Sequence, residues 1–292
     1  MTAVLQTAPV EAVPNYRVSL RKFTRNKLAV AGLAVVLLFL LFCFVGPLLH
    51  STDQTHTDLG QVNLAPGGAH WLGTDAVGHD ELGRLMYGGK VSLLVGLAAG
   101  ILATVIGTLW GAAAGYAGGW VDAVMMRVVD AGIAIPALFI LLVVSAITTP
   151  DTAGLILVLG LVSWLVPSRL VRAETLTLKS RDYVLTLRAT GGTHTRAITR
   201  HILPNSVSTI VVAATFQVAD AILLVAYVSY LGLGVQPPKT DWGGMLSAGL
   251  TAAYSGRWWL IVPPGLAIIL VVCAFNAIGD GLRDAFDVRG RG

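Results

Sequence analysis

The chain has 292 residues, of which 55% are hydrophobic and 12% charged, with a mean hydropathy of +0.73. Soluble globular domains carry about 25% charge, so a water-facing surface over the whole chain is excluded and lipid must be the solvent for much of it. The formal charge of +4 excludes nothing until its placement along the chain is known.

In chain order, residues 1–27 read as a tail containing Pro9 and Pro14, flexible over about its first 25 residues. The apolar run that follows is longer than the core of a signal peptide, and no small-residue cleavage site ends it, so it reads as a retained span. Apolar stretches at 28–49, 91–116, 123–148, 153–168, 206–231 and 258–282 predict six transmembrane helices. Pro167 is expected to end the short fourth one. Cys43 and Cys273 lie in apolar runs without metal-ligand spacing and read as buried small hydrophobes.

The 50–90 loop holds His50, His56, His70 and His79 among Asp53, Asp58, Asp75 and Asp80. A metal-gathering mouth would need ligand spacing that these histidines lack, so they read as loop polarity. Gly83–Lys90 comes close to a phosphate-binding loop, but Lys90 is one residue late and Val91 replaces the hydroxyl residue. On span two, Gly96 and Gly100, then Gly107, Gly111 and Gly115, recur every fourth residue. That spacing lets another helix approach closely, within this chain or across a subunit seam. Pro136 and Pro263-Pro264 are expected to kink spans three and six. Polar side chains at membrane depth are Asp130, Gln217, Asp220, Asn276 and Asp280. Asp130, Gln217, Asp220 and Asn276 are candidates for a translocation path, or for structural hydrogen bonds between helices.

Orientation follows from the cations. Arg17, Arg21, Lys22, Arg25 and Lys27, then Arg127, then Arg169 to Arg200, then Arg283, Arg289 and Arg291 fall on one side of a six-span chain. Only Arg84, Lys90, Lys239 and Arg257 fall on the other. The bias makes both termini cytoplasmic. The basic character is thus a topology signal, and no nucleic-acid partner is implied. The 50–90 and 234–257 loops face outward, and the 169–205 loop faces the cytoplasm.

No catalytic constellation stands in the sequence: there is no G-x-S-x-G and no H-E-x-x-H. Only Asp130 with Asp220 offers an intramembrane acid pair. A stand-alone transporter would call for more spans or an inverted repeat, and no repeat is apparent.

The 169–205 loop carries the most information. Asp182-Tyr-Val-Leu-Thr-Leu-Arg-Ala-Thr190 reads as a short helix capped by Asp182, with Val184 and Leu187 on one apolar face. Gly191-Gly192 breaks it, Thr193 starts a second helix, and Leu203-Pro204-Asn205 stops that helix before span five. A compact helix–glycine–helix between two spans suits a docking knob for a soluble motor.

Here the sequence resembles the integral membrane subunits of bacterial ABC importers, whose cytoplasmic loop carries Glu-Ala-Ala, then Gly, then Leu-Pro. Gly191 and Leu203-Pro204 stand in register, while Leu185, Thr186 and Leu187 occupy the Glu-Ala-Ala places. Tyr183-Val184, Arg188-Ala189 and His201-Ile-Leu-Pro-Asn205 look like the peptide branch. So do Arg25-Asn-Lys-Leu-Ala-Val-Ala-Gly32, His70-Trp-Leu-Gly-Thr-Asp75, Gly115-Tyr-Ala-Gly-Gly-Trp-Val-Asp122, Leu231-Gly-Leu-Gly-Val-Gln-Pro-Pro238 and Gly279-Asp-Gly-Leu-Arg-Asp284. His79 departs from the usual Gly-Arg-Asp. The likeness runs almost end to end and is to the second permease of dipeptide, oligopeptide and nickel importers.

The resemblance implies an all-α type I importer permease with a cytoplasmic coupling helix, in the bacterial inner membrane. It divides the chain into a tail (1–27), a first helix (28–49), an outer loop (50–90), a permease core (91–282) and a second tail (283–292). It implies a sister permease, one or two ATPase subunits or a fused pair, and an extracytoplasmic binding protein. ATP and magnesium would be bound by those partners, with no catalytic residue, metal or cofactor in this chain. Tyr183, Val184, Arg188, Ala189, Gly191, Leu203 and Pro204 are expected to couple to the ATPase. The substrate would be a short peptide, with a nickel chelate or other small solute as the alternative.

Overall fold

The computed structural model describes residues 16–54 and 57–286. The start expected to be flexible is instead helical over its described part, α1 (Tyr16–Arg25). Pro9, Pro14, His56, Arg289 and Arg291 lie outside the described residues. Asn26 breaks the chain after α1 and caps α2 (Lys27–Phe44), its Oδ1 accepting the Leu28 and Ala29 amides at 3.1 and 3.2 Å.

The second span begins ten residues before the hydropathy suggests. Asp80 accepts the Gly83 amide at 2.8 Å and starts α3 (Glu81–Ala117), a helix of 37 residues. At 1.5 Å per residue it measures about 55 Å, well beyond a hydrocarbon core of about 30 Å, so its first turns stand outside the bilayer. Glu81, Arg84 and Lys90 hide those turns from a hydropathy reading.

Spans three and four are each broken. Span three is α4 (Gly119–Ile133) and α5 (Ala137–Thr148), bent by 74° with Pro136 at the start of α5. Span four is α6 (Thr152–Ser163) and α7 (Leu165–Lys179), bent by 45° around Trp164. Pro167 does not end this span. It sits in the first turn of α7, where a missing N–H costs no intrahelical bond. The segment expected to begin a loop at Arg169 is therefore helical to Lys179.

A short helix, α8 (Asp182–Ala189), and a turn, α9 (His194–Ala197), lead through a π-turn into the fifth span, α10 (Val207–Tyr230). Then come α11 (Trp242–Leu250) and the sixth span, α12 (Val262–Phe286). Pro263 and Pro264 fall in the first turn of α12 and kink nothing. Four helices are long and apolar enough to cross a membrane, or six when each bent pair counts as one span. Among the described residues no strand forms beyond one bridge, Thr74 with Asp80. The fold is all-α, as expected.

The glycine runs of α3 are used inside the chain, on two sides of that helix. A Cβ on Gly107, Gly111 or Gly115 would meet α7 backbone at 2.9, 2.3 and 2.9 Å. On the other side, Gly96 meets Ile222 and Gly100 meets Val218, both on α10. Absent side chains let these helices pack backbone to backbone, the main source of attraction where lipid removes the hydrophobic one.

At the end of the bundle away from the termini, α11 dips back into the core. Trp242 is fully buried, packs edge-on against Phe39 at 5.7 Å, and donates its indole N–H to the Leu85 carbonyl at 3.0 Å. Cys43 lies beside Gly89 and Trp242, but Cys273 is exposed on α12.

Candidate functional site

The 182–204 segment is a knob fastened to the bundle by a small apolar cluster. Val184, Ala197 and Ile202 are fully buried, the last two packed with Tyr116 of α3 and Leu178 of α7. Lys179 donates to the Tyr116 carbonyl at 2.5 Å and lies over the Tyr116 ring, and the Tyr116 hydroxyl meets His194 Nδ1 at 3.2 Å. The knob therefore moves with the ends of spans two and four.

Asp182 is not the cap of α8. Arg181 holds the cap position in extended backbone, and Asp182 is the first helical residue. There its charge still complements the helix N-terminus. Thr190 closes the helix, and the Gly191 and Gly192 amides bond the Arg188 and Leu187 carbonyls at 3.1 and 2.8 Å. Gly191 has φ +81°, the left-handed region that a residue with a Cβ resists. Thr193 then caps the next turn by accepting the Arg196 amide.

Of the residues expected to couple, Tyr183, Arg188, Ala189, Gly191 and Pro204 are exposed on the knob. Val184 is instead an anchor beneath it, and Leu203 is half-buried. The Tyr183 ring tilts against His201 with centroids 6.0 Å apart. Leu187, at one of the Glu-Ala-Ala places, packs into the cluster.

The proposed path residues separate into three environments. Gln217 and Asp220 line one hollow of about 360 Å3, between α10 and the two elbows at Pro136 and Trp164. Asp130 does not line it. It forms an ion pair with Arg169 of α7 at 2.5 Å, with both side chains about half exposed. Asp130 and Asp220 therefore do not share the hollow. Asn276, half-buried on α12, does not line the hollow either.

Hydropathy reading missed a second brace, in which Arg172 donates from Nε and Nη2 to both oxygens of Asp122 at 2.5 and 2.6 Å. These partners are 39 and 50 residues apart, so only their shared depth in neighbouring spans signalled them.

On the opposite end, Asp80 gathers the outer loop. It meets His50 at 3.0 Å and His70 at 2.9 Å while capping α3. Asp75 meets His79 at 3.1 Å and Arg84 at 3.3 Å. Among the described residues no group of three such side chains is placed to hold a metal ion. The Gly83–Lys90 stretch is helical, not a phosphate loop. Asp241, buried, caps α11 by accepting the Gly244 amide at 2.7 Å, and also accepts the Ser229 hydroxyl. Burial pushes its carboxyl above the usual range, partly offset by these bonds.

Comparison with known proteins agrees with this architecture. Residues 107–292 match the family described as the binding-protein-dependent transport system inner membrane component. Residues 16–66 match the N-terminal membrane domain of oligopeptide transport permease C. The chain is 41% identical to the oligopeptide transport system permease protein of Salmonella typhimurium, over 93% of this chain and 90% of that one. It is 36% identical to the dipeptide transport system permease protein of Bacillus subtilis, over 91% of this chain and 83% of that one. It is 42% identical to a candidate peptide permease of Brucella suis, over 97% and 94%. With its bent spans and its knob on the bundle end, the chain belongs to the binding-protein-dependent transport family and is a multi-pass permease subunit of an ABC importer.

Proposed function

We propose that this chain forms, with a sister permease, the translocation path for short peptides in an ATP-driven importer of the bacterial inner membrane. Its termini and the 182–204 knob lie in the cytoplasm. One or two ATPase subunits, or a fused pair, bind ATP and magnesium, and this chain contributes no catalysis. The relatives named for dipeptide and oligopeptide transport support the peptide reading.

One observation carries the coupling role: the knob is seated on buried side chains below and exposes a mixed polar and apolar surface above. Buried Val184, Ala197 and Ile202 tie it to α3 and α7, while Tyr183, Arg188, Ala189 and Gly191 face outward. A closing ATPase that grips this surface moves α7 and α10 together, because the knob continues directly into α10 through Leu203-Pro204. The elbows of spans three and four are where such a motion changes the hollow. A binding protein loaded with peptide docks on the 50–90 and 234–257 loops and delivers into the path.

The test is a mild-detergent pull-down of the tagged chain at native expression, with mass spectrometry, ATPase assay and peptide uptake. A second membrane permease, a P-loop ATPase and ATP-dependent peptide uptake are expected. Recovery of this chain alone, with no ATPase activity, would overturn the proposal.

A further inference from the structure

The hollow between the two elbows collects polar side chains that have nothing to bond. Gln217 is 6% exposed, and its amide makes no hydrogen bond among the described residues. Asp220, exposed at the mouth of the hollow in the isolated chain, lies three residues from Gln217 on the same face of α10. The carboxylates of the broken spans, Asp122 and Asp130, each hold an arginine. Among the described residues Asp220 holds none, and no lysine, arginine or histidine lines the hollow. The remaining walls are mostly apolar, from Ile133, Ile135, Val162, Leu165, Val166 and Leu223 among others.

Unpaired polar groups are costly at membrane depth, and a lone carboxylate most of all. Packing alone gives no reason for an amide and a carboxylate to converge on one apolar hollow. A ligand that carries a cation next to an amide group satisfies both. We infer that the hollow is a subsite for a protonated amino group on the transported solute. Asp220 supplies the counter-charge, and Gln217 bonds the neighbouring amide. The inference rests on the peptide reading above and deepens it: the permease itself selects for an ammonium group, from a peptide N-terminus or a lysine side chain.

Two measurements on the whole complex test this. The first is uptake of a free-amino peptide into proteoliposomes at saturating binding protein, comparing wild type with Asp220→Asn and Asp220→Glu. Asp220→Asn is expected to lower uptake at least tenfold, and Asp220→Glu less than threefold, with sister permease and ATPase still recovered. The second is zero-length carbodiimide coupling, which joins a carboxylate to an amine only in contact. Mass spectrometry should find the adduct on Asp220 with a free-amino peptide and with an N-acetylated lysine-containing peptide, but not with an N-acetylated neutral one. An adduct with only one of the two amines assigns the subsite to that source. Peptide uptake by wild type with equal uptake by Asp220→Asn overturns the subsite while leaving the peptide reading intact. So does loss of the sister permease with normal uptake per intact complex, which makes Asp220 a structural contact. No adduct with either amine also overturns it. If wild type takes up no peptide at all, the peptide reading fails and this inference falls with it.

Discussion

Gly111 sits where α3 and α7 touch backbone to backbone, and alanine there has a cost that the geometry sets. The added Cβ would lie 2.3 Å from the Ser168 carbonyl oxygen and 2.9 Å from the Arg172 nitrogen. Ordinary contact begins near 3.4 Å, so the helices would stand about 1 Å too close. Both obstructing atoms are backbone, so a whole helix must shift. Overpacking of this kind costs ~1–3 kcal/mol, against ~1 kcal/mol gained by removing a glycine from a helix. Gly265→Ala is the internal control: its Cβ would meet only Leu246 Cδ2 at 3.7 Å, which leaves the propensity gain alone. The assay is thermal survival of the tagged complex in detergent, read as the intact fraction on size exclusion after heating. The net loss is ~0–2 kcal/mol, toward the upper end because both obstructing atoms are backbone, which corresponds to a fall of up to roughly 8 °C for a chain of this size. Gly265→Ala should melt at or slightly above wild type. Gly111→Ala melting at or above wild type would refute the close-packing argument.

Gly191→Val forces a β-branched residue into φ +81° with no steric neighbour to blame, at a cost of ~1–2 kcal/mol. Uptake should fall about tenfold while ATPase binding persists, and normal uptake would remove Gly191 from the coupling role. For Asp122 and Arg172, a double-mutant cycle to alanine should show a coupling of about 1 kcal/mol in thermal stability, discounted because Arg172 is partly solvated; strict additivity would sink the brace. Trp242→Phe keeps the apolar contact with Phe39 but loses the indole hydrogen bond to the Leu85 carbonyl, at about 1 kcal/mol. Trp242→Ala adds a cavity worth ~3–5 kcal/mol, so protease cleavage in the 234–257 loop should rise far more for alanine than for phenylalanine. Equal cleavage in both variants would show that α11 is not wedged by this ring.

Much of the permease architecture was legible because lipid imposes a simple rule. Long apolar runs must be helices, and the fifth span matches its predicted bounds to within a residue at each end. The knob was legible too, since Gly191 and Thr193 carry local backbone chemistry that needs no partner elsewhere in the chain. Span two was misjudged at its start because hydropathy weighs Glu81, Arg84 and Lys90 as loop residues, whereas the Asp80 cap decides where the helix begins. Pro167 misled because a proline reads the same whether it ends one helix or opens the next.

Composition, apolar run length and the 182–204 motif thus determined an all-α membrane chain with a short helical knob between its fourth and fifth spans. Tertiary structure alone decided the bend angles of spans three and four, the burial of Val184 beneath the knob, and the pairing of Asp130 and Asp122 with arginines far along the chain. It also separated Gln217 and Asp220 from Asn276. The reason is physical: hydropathy and capping act over a few residues, but which face of a helix meets which neighbour depends on how all the helices share the same space.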